Sequence, residues 1–369
     1  MTALFGPNSS GKSNVILALS VMCQCIVNSA AANWTLPYEP FALRVGSSHK
    51  PTRFAVSFEH KKGVFFYEFA YNNTEIVAES LRKRSAHSEK KSVIFSRSER
   101  EFNSTAVRNG FGKRLLEKTR PETLVITKGR EDNNEYSNIV FDLLSSLIVV
   151  SDNGGSQGTG PSFAEMLRDS GDMRDRTLAL LKQCDFSIRD IKVESVPLPL
   201  DLLDSLPLQP EFKRMIEQSD GTSFKTVHAV RDEEQTVVGT YELDFWTQES
   251  VGTRKFFEVI VPILAALETG ATIFIDEFGS YIHRTLSSYV IDMFRQVSSN
   301  PREAQLVIVS HDTSLMQGDL SRDEIYLVEK TLSEETRLFP LAETGARKGE
   351  AFEKRYRAGL YGAIPLVRK

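Results

Sequence analysis

Eight residues near the amino terminus have the types and spacing of a loop that binds phosphate. They fit the pattern G-x-x-x-x-G-K-[ST] at every fixed position and read Gly6, Pro7, Asn8, Ser9, Ser10, Gly11, Lys12 and Ser13. Glycines let backbone N–H groups turn towards phosphate oxygens, a lysine supplies a point charge, and the hydroxyl after it binds Mg²⁺. The loop therefore predicts a nucleoside phosphate site, with Lys12 near the outer phosphates and Ser13 on the metal ion.

The segments on both sides of the phosphate loop (residues 6–13) have the composition that such a site requires. Residues 2–5 predict a short buried strand, and residues 14–22, beginning with Asn14, predict a helix. A helix that begins at Lys12 directs the positive end of its dipole at bound phosphates. A chance turn rich in glycine and serine is the alternative, but both flanks argue against it.

Two acidic residues follow a second apolar segment. Residues 272–277 predict a buried parallel strand that ends in Asp276 and Glu277 and delivers both carboxylates at its carboxyl edge, where ligands bind in open α/β sheets. In that position we expect Asp276 to hold Mg²⁺ and Glu277 to polarise the attacking water. Together with the phosphate loop, this acid pair predicts binding and hydrolysis of ATP.

A histidine follows a third apolar segment. Residues 305–311 predict another buried strand, with His311 at its carboxyl end. A lone histidine at a strand end is usually structural. If this strand is the neighbour of the strand that carries Glu277, His311 would instead contact the γ-phosphate and the water.

Small polar residues precede the acid pair at the start of a predicted helix. Ser250, Gly252 and Thr253 come just before an apolar run at 256–267, which contains Pro262. Hydroxyl and backbone N–H groups at a helix start can donate to a phosphate. The alternative is that Ser250 or Thr253 simply caps the helix. The position of the segment just upstream of the acid strand favours the phosphate role.

The remaining chain predicts one nucleotide-binding core with an insertion. Residues 53–81 alternate in hydropathy between turn signals, which predicts an antiparallel β-meander. We expect residues 1–81 to form the first half of the core, residues 82–215 an inserted and mostly helical region, and residues 216–369 the second half. The predicted fold class is α/β, with a mostly parallel sheet in the core of a P-loop NTPase.

Composition excludes several classes of protein. The 369 residues are 41% hydrophobic and 25% charged, which is typical of globular chains, and the net charge of −4 excludes a general polycation. Three cysteines do not make a disulfide framework, so a reducing, cytoplasmic setting fits best. No apolar run is long enough for a membrane helix, and we expect no membrane partner.

One stretch is locally basic. Residues 82–120 contain twelve Lys or Arg against four Glu. Such a patch could contact nucleic acid or an acidic partner. The alternative, a solvated hairpin whose charges are balanced elsewhere, is favoured because aromatic residues for base stacking are sparse.

The order of these motifs resembles the ABC-type ATPases, the class that includes the SMC, RecF and OLD-like proteins. Within it, the chain is most similar to bacterial AAA-type predicted ATPases of abortive-infection and phage-defence loci. The likeness rests on four pieces, residues 6–13, 228–267, 272–316 and 343–365. It implies an ABC-ATPase-like core fold, ATP and Mg²⁺ as ligands, and Lys12, Glu277 and His311 as catalytic residues.

The resemblance also implies an assembly. Ser250, Gly252 and Thr253 would act in trans on the ATP of a second subunit in a head-to-tail homodimer or higher homo-oligomer, and residues 278–283 would cross the interface. The chain departs from the family pattern at Gly279, where an Asp is expected, and at Tyr281, where a Leu is expected. OLD-like proteins carry a fused nuclease, for which the residues after His311 are too few, so a nuclease or toxin effector would be a separate chain.

Three functions are consistent with this pattern. The leading hypothesis is an ATP-hydrolysing switch or motor in anti-phage defence. The second is an ATP-gated sensor or scaffold with little turnover. The third is a DNA-repair ATPase, similar to SMC and RecF proteins, that binds duplex DNA through residues 82–120. A P-loop kinase needs neither the segment at Ser250 nor His311 and is disfavoured.

Overall fold

A computed structural model describes most of the chain, namely residues 1–85, 89–98, 101–102, 109–151, 155–156, 163–196, 221–280, 282–318 and 320–364. The strands there are β1 (Thr2–Phe5), β2 (Thr52–His60), β3 (Gly63–Tyr71), β4 (Ile76–Arg84), β5 (Ser92–Ser98), β6 (Glu101–Phe102), β7 (Ile148–Ser151), β8 (Gly155–Ser156), β9 (Ile188–Val196), β10 (Gly221–Arg231), β11 (Val237–Asp244), β12 (Thr272–Ile275), β13 (Gln305–Val309), β14 (Ile325–Lys330) and β15 (Thr336–Pro340). The helices are α1 (Lys12–Asn28), α2 (Lys113–Glu117), α3 (Val125–Glu131), α4 (Glu135–Ser145), α5 (Phe163–Asp169), α6 (Gly171–Gln183), α7 (Phe245–Gln248), α8 (Val251–Thr269), α9 (Arg284–Arg295) and α10 (Phe352–Arg357).

The chain forms two compact units. The first unit comprises Met1–Phe5, Ile148–Leu327 and Pro340–Gly362, and the second comprises Gly6–Leu147, Val328–Phe339 and the carboxyl terminus. The chain therefore passes from the first unit to the second directly after β1. It passes back at β7 and crosses again within β14.

A mostly parallel sheet organises the first unit. Its strands lie in the order β14-β1-β13-β12-β7-β8, and β14 continues into the second unit, where β15 is its neighbour. The pairs β14–β1, β1–β13, β13–β12 and β12–β7 are all parallel. β1, β12 and β13 are short apolar runs, as expected for central strands that helices cover on both faces. The predicted fold class, with its mostly parallel core sheet, is confirmed.

The pairing register aligns the carboxyl ends of the three central strands β1, β12 and β13 across the sheet. Leu4 pairs with Val309, so Phe5 lies level with Ser310. Ile275 pairs with Ile308, so Asp276 lies level with Val309. All three strands run in the same direction. The residues that follow β1, β12 and β13 therefore leave the sheet at the same edge.

An antiparallel sheet organises the second unit. Strands β2 to β6 follow one another in sequence order. β2, β3 and β4 match the meander predicted over residues 53–81, and β5 and β6 continue it beyond the predicted bounds. One face carries large apolar side chains, including Phe65, Tyr67 and Phe69, which pack with residues of α1, α3 and α4. The opposite face carries small and charged side chains such as Ser80 and Arg82. This alternation is expected for a sheet with one buried face.

A three-stranded sheet, in the order β11-β10-β9, completes the first unit. Phe224 of β10 stacks on Phe245 of α7 with their ring centroids 4.0 Å apart, and Phe257 of α8 meets Phe245 edge-on. This aromatic cluster fixes the start of α8 against β10. The segment around Ser250 is thereby held between two packed elements.

The sequence also predicts an inserted region at residues 82–215. Helices α2 to α6 lie in this range, and so do the strands β5, β6, β7, β8 and β9. Its strands β7 and β8 extend the large sheet, next to β12. The division into 1–81, 82–215 and 216–369 stays a prediction, since the contacts within the chain group it into two units at other boundaries.

A buried carboxylate in the second unit was not foreseen from the sequence. Glu79 of β4 accepts hydrogen bonds from the Tyr67 hydroxyl (3.0 Å) and from the first two N–H groups of α3, those of Val125 (2.7 Å) and Ile126 (3.0 Å). Arg97 of β5 lies 3.7 Å away. Burial raises the pKa of Glu79, while Arg97 and the backbone N–H groups lower it. Glu79 therefore caps α3 from a strand.

We expect Glu79→Ala to unfold far more easily than the parental chain. The substitution leaves the Arg97 guanidinium and two N–H groups buried without their acceptor, which costs roughly 3–5 kcal/mol. The control is Glu68→Ala on the exposed face of the same sheet, where Glu68 pairs with Arg53 and Arg82. Glu68→Ala should lower the free energy of unfolding by at most about 1 kcal/mol. Urea unfolding measures both variants, and equal losses would contradict the role of Glu79 as a buried cap of α3.

Candidate functional site

The phosphate loop lies between β1 and α1, as its flanks predict. Ser9 and Gly11 have left-handed backbones, with φ of 62° and 94°. α1 begins at Lys12, and its first turn contains no acidic residue. The start of α1 is therefore free of carboxylates that would repel an anion.

The two motif glycines are required by the packing of the second unit. A Cβ on Gly6 would overlap the carbonyl oxygen of Val328, and one on Gly11 would overlap Thr336 Oγ1. Thr336 Oγ1 also donates a hydrogen bond to the Ser10 carbonyl oxygen at 3.0 Å. Residues from near the end of the chain thus hold the phosphate loop in shape. Nothing in the local sequence signals this contact.

The interior of the loop suits a phosphate. The Lys12 ammonium is buried and donates to the carbonyl oxygens of Gly6 and Pro7, both at 2.9 Å. The Ser10 hydroxyl is buried too, and it finds no hydrogen-bond partner among the described residues. A phosphate oxygen would accept hydrogen bonds from both groups. Ser13 and Asn14 are exposed in the first turn of α1, open to a ligand.

The acid pair lies where the sequence predicts it, directly after β12. Asp276 Oδ1 accepts a hydrogen bond from the N–H of Glu277 at 3.0 Å. Glu277 has a left-handed backbone, with φ of 52°. That conformation costs a residue with a side chain roughly 1–2 kcal/mol, and several residues in turns of the described chain, such as Gln235 and Glu303, adopt it as well.

Two residues of α8 share a small cavity with the acid pair. Lys255 and Glu258 form an ion pair of 3.0 Å, and both line this cavity together with Asp276 and Glu277. Sequence analysis missed them. Their only signal is a spacing of three on a helix, which is common in surface helices.

His311 follows β13, and β13 is the parallel neighbour of β12. The prediction required this adjacency, because only neighbouring strands bring His311 beside Glu277. His311 is exposed, while Ser310 before it is fully buried.

Ser250 lies at the start of α8. Its hydroxyl accepts a hydrogen bond from the N–H of Thr253 at 3.0 Å, which is the geometry of a helix cap. Ser250 is exposed, and Gly252 and Thr253 are half-buried. The preceding Glu249 has a buried side chain that accepts hydrogen bonds from Thr226 and pairs with His228. The cap uses a lone pair of the Ser250 oxygen, so the cap and the predicted phosphate contact are compatible, because the O–H can still donate to a phosphate oxygen.

The segment 278–283 is described except for Tyr281. Gly279 has a left-handed backbone with φ of 88°, a conformation that an Asp would adopt at a cost. The departure from the family pattern at this position therefore has a local backbone reason. The role of the segment at an interface stays a prediction.

Part of the basic stretch 82–120 is used internally. Arg97 is buried beside Glu79, and Arg120 donates to the carbonyl oxygen of Ala31 at 2.6 Å. Residues 86–88, 99–100 and 103–108 lie outside the described part of the chain. Arg82 pairs with Glu68 at 2.8 Å as well, so at least three of the twelve cations have partners within the described chain. Contact of this stretch with nucleic acid stays a prediction.

Comparison with known proteins identifies a family. The profile described as "AAA domain, putative AbiEii toxin, Type IV TA system" matches residues 1–145 and 203–317, well over half of the chain. The chain belongs to this AAA-domain family. The phosphate loop, the acid pair and His311 all lie inside the matched ranges. No curated protein matches the chain.

Membership gives a coarse functional class. The chain is an AAA-type P-loop ATPase by family, and the family description links it to abortive infection and toxin–antitoxin systems. None of the helices in the described ranges combines the length with the hydropathy that a bilayer crossing requires.

We expect Gly11→Ala to weaken nucleotide binding at least tenfold. The added methyl meets Thr336 and forces a left-handed backbone on alanine, which together cost about 2–5 kcal/mol in the loop. The matched control is Gly112→Ala in the same unit, where φ is not positive and the space is open. Isothermal titration with ATP measures both. Parental affinity in Gly11→Ala would contradict the packing role of this glycine.

Proposed function

We propose that the chain binds ATP with Mg²⁺ at the phosphate loop and hydrolyses it. The phosphate loop, residues 6–13, would surround the phosphates, with backbone N–H groups from all of its residues except Pro7, the Lys12 ammonium and the start of α1 around Asn14 as donors. Ser13 and Asp276 would hold Mg²⁺, which supplies charge stabilisation for the phosphates when it is bound. The buried Ser10 hydroxyl and the glycine packing support a phosphate ligand in this loop.

We assign the chemical roles to three side chains. Glu277 would accept a proton from the attacking water, and His311 would orient that water and contact the terminal phosphate. Lys12 would stabilise the charge that develops on the phosphates. The observation that carries this proposal is the common edge at which β1, β12 and β13 end. The chain leads directly from these strand ends into the phosphate loop, the acid pair and His311.

We further propose that the start of α8 completes the site of a second copy of the chain. Ser250, Gly252 and Thr253 would contact the ATP of the partner in a head-to-tail homodimer, as in the ABC-type ATPases that the motif order resembles. The exposed Ser250 hydroxyl at a helix N-terminus supports a phosphate contact. The start of α8 is held in place by the aromatic contacts of Phe257 with Phe245 and of Phe245 with Phe224 of β10.

The biological role that we propose is an ATP-driven switch in anti-phage defence, acting with a separate effector chain. The family's link to abortive infection supports this role, and three free cysteines agree with a reducing cytoplasm. An ATP-gated sensor with little turnover is the second candidate. It is supported by the same binding residues and differs only in the rate of hydrolysis.

We expect Lys12→Ala to lose ATP binding. Glu277→Gln should still bind ATP, but its turnover should fall at least a hundredfold, because general-base catalysis contributes factors of about 10²–10⁴. The control is Glu268→Gln, an exposed acid on α8. Titration with ATP and steady-state phosphate release measure the two steps. Turnover by Glu277→Gln at the parental rate would refute the mechanism. Parental turnover that is barely measurable would favour the sensor.

Mixing two inactive variants tests the shared site. Lys12→Ala and Ser250→Arg should each be inactive alone, because each disables both composite sites of a homodimer. In an equimolar mixture, half of the dimers keep one site with both parts intact, so about a quarter of the parental rate should return. No recovery after exchange of subunits would show that Ser250 acts within its own chain or not at all.

A further inference from the structure

Ser310 is a fully buried serine between β13 and His311. Its N–H donates to the carbonyl oxygen of Leu4 at 3.1 Å. Its hydroxyl donates to the carbonyl oxygen of Phe278 at 2.7 Å and accepts from the N–H of Asp312 at 3.0 Å. Ser310 thus forms hydrogen bonds with the backbone of β1, of the turn after β12 and of the turn after β13.

Each partner of Ser310 lies beside a residue to which a role has been assigned. Phe278 follows Glu277 directly, and Asp312 follows His311. The hydroxyl therefore links the turn that presents the carboxylate to the turn that presents the imidazole.

The link also explains how the strained backbone at Glu277 persists. The N–H of Phe278 donates to the carbonyl oxygen of Val309 at 2.8 Å, and its carbonyl oxygen accepts from Ser310. Both backbone polar groups of the residue after Glu277 are thus tied to the end of β13. A left-handed residue persists when its surroundings fix the chain on both sides.

We propose that Ser310 is a positioning residue for ATP hydrolysis, and that its hydroxyl holds Glu277 and His311 in one mutual arrangement. The inference rests on the proposed function. It predicts that loss of the hydroxyl slows turnover without weakening the binding of ATP. A serine with a purely structural role would lower stability and leave the turnover of the folded protein unchanged.

The decisive comparison is Ser310→Thr against Ser310→Val. The two side chains have nearly the same shape and differ in the hydroxyl, so any effect of the added methyl is common to both. We expect kcat of the valine variant to be at least tenfold lower than kcat of the threonine variant, with the two KM values for ATP within threefold of each other. We also expect hydrogen exchange at the N–H of Asp312 to be faster in the valine variant, because only the threonine hydroxyl can accept a hydrogen bond from it.

Ser310→Ala and Ser287→Ala provide a matched control. Ser287 is also fully buried and lies near Gly279 in the same region, but its hydroxyl has no hydrogen-bond partner among the described residues. Ser287→Ala should keep the parental kcat, whereas Ser310→Ala should lose at least tenfold. In the Glu277→Gln background, Ser310→Ala should cause less than its full loss in kcat, because part of its effect acts through the Glu277 carboxylate.

Several outcomes separate this inference from the function on which it rests. Equal kcat for the threonine and valine variants, in a chain whose parental form hydrolyses ATP, overturns the positioning role and leaves the proposed function intact. A full additional loss in the Glu277→Gln background overturns it as well. A parental chain that binds but does not hydrolyse ATP overturns both.

Discussion

The parallel pairing of three buried strands is the constraint on which the rest of the structure depends. β1, β12 and β13 are too short and too apolar to be stable outside a covered sheet, and their backbone groups are satisfied by pairing with one another and with the flanking strands β14 and β7. Once they pair in parallel, their carboxyl ends must share one edge. The residues that follow each strand are then delivered to that edge, whatever the rest of the chain does.

The backbone is strained or tightly packed where the chain leaves this edge. Gly11 and Glu277 adopt left-handed conformations, and Gly6 lies against a neighbouring carbonyl oxygen. Side chains from distant parts of the sequence hold these positions, with Thr336 at the phosphate loop and Ser310 at the acid pair. Such local costs are accepted where a site needs a fixed shape before its ligand arrives.

Sequence patterns predicted the features that short motifs specify. The phosphate loop and the acid pair were found because their residue types and spacing follow from their chemistry, and the meander because its hydropathy alternates. Ser310, Glu79 and Lys255 were missed, since each acts through partners far away in the sequence. A serine before a histidine, or a glutamate within a strand, has no local pattern that distinguishes it from a solvated residue.

Affinity cleavage with Fe²⁺ in place of Mg²⁺ shows whether the phosphate loop and the acid pair surround the same metal ion. Hydroxyl radicals generated at the bound ion cut the backbone only nearby, so the cuts map which segments surround it. We predict ATP-dependent cleavage at two places, next to Ser13 and next to Asp276, with both lost in Lys12→Ala. Cleavage next to Ser13 alone would contradict the convergence of the strand ends on one nucleotide.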